Sequence, residues 1–72
     1  MNEGQRARAI RTALGDMHKN ETLERAISRQ VRNQGGGYED YVEIMSRIRE
    51  LANKKKMALA DAAGRVADSY ES

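Results

Sequence analysis

An all-α fold, a small three-helix bundle made of a helical hairpin and a long third helix, is what this sequence predicts. Three observations carry that expectation. Apolar residues recur at i, i+3, i+4 and i+7 along most of the 72 residues, the signature of amphipathic helices. Proline is absent, and half of the six glycines sit in one run, Gly35, Gly36 and Gly37. Acids precede bases by four positions at Glu21/Arg25, Glu43/Arg47, Glu50/Lys54 and Asp61/Arg65, the order that supports a helix by about 0.3–0.5 kcal/mol per pair.

The first helix is expected over about 3–18, as part of a single helical domain spanning 1–72. Asn2 is placed to cap it, with Gln5 three residues on to return the bond. Ile10, Ala13, Leu14 and Met17 form its apolar stripe, and Gly15 projects away from that stripe at a cost of about 1 kcal/mol relative to alanine. The second helix is expected over about 20–34, opening at Asn20, with Glu21 and Glu24 in the first turn where the helix dipole favours negative charge. Leu23, Ala26, Ile27 and Val31 line one side, and Arg25, Arg29 and Arg32 fall almost opposite as a solvent-facing ridge. A glycine can follow the last helical turn with φ > 0 and cap its carbonyls, so Gly35–Gly37 is expected to act as a hinge that reverses the chain.

The third helix is expected over about 38–70. Tyr38, Met45, Ala52, Leu59 and Val66 recur every seven residues, Tyr41, Ile48 and Ala62 take the intervening heptad position, and Lys55 breaks it. Continuous, it would be close to 50 Å long at about 1.5 Å per residue, and its far end would lie uncovered, a reason to expect a homodimer. The alternative is a break at Asn53–Lys56, which supplies no apolar residue, and a fourth helix beyond it.

Leu, Ile, Val and Phe together number only 11 of 72 residues, a level at which disorder becomes a live alternative, but a net charge of +2 does not drive the chain apart. A second copy or a partner would complete so small a core. Without cysteine there is no disulfide framework and no thiolate metal site. No apolar run approaches a membrane span and the first residues do not resemble a signal peptide, so a cytoplasmic protein with no membrane association is expected.

An enzyme lacks its parts. His18 is the single histidine, no serine lies near a plausible base, and the adjacent acids Glu39 and Asp40 are read as first-turn dipole compensation. No catalytic, cofactor-binding or metal-ligating residue is expected. The glycine run leads into Tyr-Glu-Asp, not the Lys-Ser/Thr of a phosphate loop. Positive charge is concentrated in residues 1–37, which carry seven bases and four acids, against six bases and seven acids in 38–72. Arg8, Arg11, Arg25, Arg29 and Arg32 are therefore a candidate basic surface, with Lys54, Lys55 and Lys56 as a second. The three tyrosines, Tyr38, Tyr41 and Tyr70, are expected at the edge of the core with wet hydroxyls. The function expected is that of a small regulatory or adaptor protein binding a protein partner through a helical face; the alternative is an RNA- or DNA-binding module using the arginines of the first two helices.

From Leu23 to Asp68 the layout faintly resembles the ANTAR domain, a three-helix RNA-binding output module of bacterial antitermination regulators. The matching positions are Ala26, Gly35, Glu39, Val42, Ile44, Met45, Arg47, Asn53, Lys54 and Leu59. Arg29, Gln30 and Arg49 depart from it, standing where that family keeps small or apolar residues. The same layout fits small secretion chaperones and phage-encoded or nucleoid-associated regulators.

Overall fold

The computed structural model describes Met1–Ser72 as four helices without strands: α1 (Glu3–Gly15), α2 (Leu23–Asn33), α3 (Tyr38–Lys55) and α4 (Leu59–Glu71). The continuous third helix is thus corrected to two, and the alternative of a break at Asn53–Lys56 with a fourth helix beyond it is the arrangement found. The break falls within the lysine run, where Lys56 adopts φ 53° and ends α3 in a left-handed residue. The N–H of Met57 then bonds back to the Ala52 carbonyl at 3.0 Å, closing the last turn as a Schellman cap does, with Met57 half-buried against the core. Met57 lies off the heptad because it anchors a corner.

Folding α4 back onto α3 removes the uncovered end that had argued for a dimer. The radius of gyration, 10.9 Å, agrees with the ~11 Å expected of a compact 72-residue chain. α1 makes its most extensive contacts with α4 and then with α2, α3 packs on α4, and α2 and α3 touch least of these pairs.

The α1 start is as expected. Asn2 Oδ1 accepts from the Gln5 N–H at 2.8 Å and Gln5 Oε1 accepts from the Asn2 N–H at 2.9 Å, a complete capping box. The helix ends at Gly15, not at 18, and Met17 is left 41% exposed in the connection. The α2 start is also corrected. Asn20 takes φ 66°, a left-handed conformation asparagine tolerates, and the cap is Thr22, whose Oγ1 accepts from the Arg25 N–H at 3.2 Å. Glu21 therefore lies ahead of the helix, where its carboxylate accepts from the His18 N–H at 2.9 Å and cannot serve as the i−4 partner of Arg25.

The three glycines have three different situations. Gly35 has φ +81°, and the Gly36 N–H to Val31 carbonyl bond (2.9 Å) with the Gly35 N–H to Arg32 carbonyl bond (3.0 Å) completes a Schellman motif. Gly36 is closely packed: a Cβ there would lie 2.8 Å from Val31 Cγ1 and collide with Met1 Sδ. Gly37 is the extended N-cap of α3, with open space around its Cα, and its N–H donates to Asp40 Oδ2 at 3.0 Å.

The core is one cluster of 17 buried residues. All four apolar positions expected of α2 are in it, as are Ile10, Ala13, Met45, Ile48, Ala52, Ala62 and Val66. Tyr38 is not: at 78% exposure it starts α3 ahead of the packed seam, which begins in earnest at Ile44 and Met45. Six alanines, Ala7, Ala9 and Ala13 of α1 and Ala62, Ala63 and Ala67 of α4, have no exposed surface at all. Small side chains let helix axes approach closely, so these alanines do much of what bulkier residues do elsewhere.

Candidate nucleic-acid interface

Ion pairing decides which of the thirteen bases are free to act. On α1, Arg6 reaches Asp40 at 3.4 Å. Arg11 bridges to the C-terminal end of α4, meeting Asp68 at 2.5 Å and Glu71 through both Nε and a terminal nitrogen. Those two carboxylates raise the Arg11 pKa, Glu71 first. Arg29 of the expected ridge turns toward the α1–α2 connection, where it donates to Glu21 at 2.9 Å and to the Asp16 carbonyl at 3.0 Å. That bond to Glu21, followed by the His18 N–H, brings the Glu21 pKa down to about 2 from its ordinary 4.5.

Two of the five candidate arginines on α1 and α2 are thus committed within the fold, and the five do not form one basic surface. Arg8 stands in a shallow polar recess with Asn2, Gln5, Arg11 and Glu71, while Arg25 and Arg32 are exposed on α2. Arg8, Arg25 and Arg32 remain unpaired, as do Lys54, Lys55, Lys56 and Arg65.

Charge in the second half is distributed otherwise than its net acidity implies. Asp40, Glu43, Asp68 and Glu71 are each taken by an arginine, two of them by Arg11 of the first half. Asp40 is held below its usual range chiefly by the Gly37 N–H, with the Met1 ammonium and Arg6 adding to it. What remains at the α3–α4 corner is mostly basic, with Asp61 in the first turn of α4 the unpaired acid. An open groove of about 520 Å³ runs between the two helices, lined by Arg47, Glu50, Leu51 and Lys54 from α3 and Arg65, Val66 and Ser69 from α4. Two unpaired bases, Lys54 and Arg65, and the Glu43-held Arg47 face one acid there. Lys54, first of the expected lysine cluster, is at its edge, and Lys55 and Lys56 continue from it into the corner.

Arg47 is held in place at this groove. Its Nε donates to Glu43 at 2.8 Å, the one i,i+4 pair of the four expected that closes, and its guanidinium lies 5.1 Å from the centroid of Tyr70. Arg6 approaches the same ring at 5.8 Å. Tyr70 is 4% exposed, its hydroxyl has no hydrogen-bond partner, and burial raises its pKa against the opposing charge of Arg47. The wet hydroxyl expected of it is therefore not found. Sequence reasoning missed Arg47 and Arg65 as site residues because each stands outside the arginine ridge and the lysine run, and the two line one groove only once α4 folds back on α3.

The remaining exposed apolar surface is small. Tyr38 and Val42, one turn apart on α3, are 78% and 40% exposed, and the Tyr38 ring lies 6.1 Å from that of Tyr41. No group of three or more metal-ligating side chains is assembled, and no helix is long and apolar enough to cross a membrane. Compared with known protein families, curated proteins and solved structures, the chain matches none.

Proposed function

We propose that the protein is a small non-catalytic binding module, working in the cytoplasm, whose ligand is a nucleic acid. The observation that carries this is the imbalance left after internal pairing: the α3–α4 groove and its corner hold the unpaired bases Lys54, Lys55, Lys56 and Arg65, beside an Arg47 already held by Glu43, against the unpaired acids Glu50 and Asp61. Unneutralised bases in an open groove attract phosphates, and the counterions they displace supply most of the affinity. The heptad stripe that would have served a protein partner is largely spent on the bundle's own core, since Met45, Ile48, Ala52, Ala62 and Val66 are all buried. The test is equilibrium binding of fluorescein-labelled single-stranded RNA and DNA of mixed sequence between about 50 mM and about 200 mM salt, where each phosphate contact on a single strand adds about 0.7 to the salt slope. A slope of about 2 or more is expected; no binding at the lower salt overturns the proposal.

The exposed Tyr38–Val42 ridge supports a second reading, an adaptor that docks a protein through α3. Such an interface would be nearly insensitive to salt, and Tyr38→Ser with Val42→Ser would abolish it while leaving nucleic-acid binding intact.

A further inference from the structure

The geometry points to the α3–α4 groove as the place where one nucleic-acid strand is gripped, its phosphates held between Lys54 and Arg47 on one wall and Arg65 and Ser69 on the other. This rests on the proposed function and assigns it a site different from the arginine ridge of α1 and α2.

The two walls differ in a useful way. Arg47 and Lys54 are seven residues apart on α3, two turns or ~10 Å along the axis. They can therefore meet successive parts of one strand but not a single phosphate. Arg65 and Ser69 are one turn apart on α4, so a guanidinium and a hydroxyl donor face the gap from the opposite side. The guanidinium of Arg47 is fixed from two directions, by Glu43 and by the face of Tyr70, so little of its freedom is lost when a ligand arrives. Lys54 and Arg65 make no ion pair and need break none.

The floor argues against a lipid surface. A peripheral membrane site needs apolar side chains that protrude beside its bases. Leu51 is half-buried here and Val66 is 5% exposed, both recessed below a charged rim. Glu50 is the one unfavourable group, an exposed carboxylate lining the groove without an ion-pair partner.

The experiment compares four proteins by anisotropy on the same labelled RNA and DNA strands: the natural chain, Lys54→Gln with Arg65→Gln, Glu50→Gln, and Arg8→Gln with Arg25→Gln and Arg32→Gln. All the altered side chains are exposed, and a retained helical circular dichroism spectrum checks each fold. Losing two contacts at about 0.7 each weakens binding about 25-fold at 0.1 M salt and lowers the salt slope by about 1.4. Glu50→Gln should tighten binding several-fold, which a loss of structure could not do. The arginine triple variant should bind with at most a minor loss. If the triple variant loses binding and the groove variants do not, the groove assignment is overturned and the proposed function stands. If the natural chain binds neither strand, or binds only phosphatidylserine vesicles, both fall.

Discussion

Changing the three glycines of the α2–α3 turn one at a time should give three different results, because each is required by a different constraint or by none. Gly36 is the most demanding. A methyl group there would sit 2.8 Å from Val31 Cγ1, against about 3.5–4.0 Å for an ordinary carbon contact. Met1, the other neighbour, has a flexible end and can move aside, but Val31 is branched and 1% exposed. Overpacking of this kind costs about 1–3 kcal/mol, and in a domain this small each kcal/mol moves Tm by about 4–8 °C. Gly36→Ala should therefore lower Tm by about 5–20 °C. At Gly35 space is open, but φ is +81°, and an L-residue there loses about 1–2 kcal/mol, offset by about 0.4–1 kcal/mol from a stiffer unfolded chain. The net loss of about 1 kcal/mol is a fall of about 5 °C. Gly37 has neither constraint, and as the N-cap of α3 it lacks only a side-chain acceptor. Gly37→Ser supplies one and should raise Tm by about 1–3 °C, from about 0.2–0.4 kcal/mol. Thermal unfolding followed by circular dichroism reads all three. Equal shifts, or no shift in any, would mean the run is a featureless flexible joint, and the assignment of separate roles would be wrong.

Four other outcomes are expected. Tyr70→Phe removes a buried hydroxyl that has no partner and keeps the ring under Arg47, so Tm should hold or rise; a fall of more than about 1 kcal/mol in denaturant unfolding would reveal a bond to that hydroxyl. The Glu21 pKa is depressed in the folded state, so its contribution is present above about 4.5 and is lost as pH falls toward about 2; the Tm difference between the natural chain and Glu21→Gln should be full at pH 7 and vanish across that window. Lys56→Gly relieves a left-handed residue and should stabilise by up to about 1 kcal/mol, read as a shifted urea midpoint with unchanged slope. The melting midpoint should not change over a hundredfold dilution, since the bundle covers its own stripe; a midpoint that falls on dilution would show the homodimer.

Much of the architecture was legible because helix periodicity and cap chemistry are local. Asn2 and Gln5 announce the first helix by themselves, and the α2 stripe reads off a wheel. The errors have local causes too. Three consecutive lysines contain no recognised helix breaker, and the left-handed lysine is stabilised by the anchoring of its neighbour Met57 in the core, which no window ending at the lysines can see. Asn20 outranks Thr22 as a cap by propensity alone, yet a left-handed asparagine in the connection leaves the cap to threonine. The candidate site was less legible. Arg11 and Arg65 look alike in sequence, each an arginine on a helix surface, but Arg11 meets two acids nearly sixty residues away and Arg65 meets none. Which bases stay free is a property of the tertiary arrangement.

The fully covered alanines of α1 and α4 set a limit on how this chain can vary. A seam made of the smallest side chains has nothing left to trim and no room to grow: one added methylene at Ala9 or Ala63 would push two backbones apart. Drift in sequence should therefore be confined to the outward positions, and a distant cousin of this protein would be known by its pattern of tiny residues long after its charges had been exchanged.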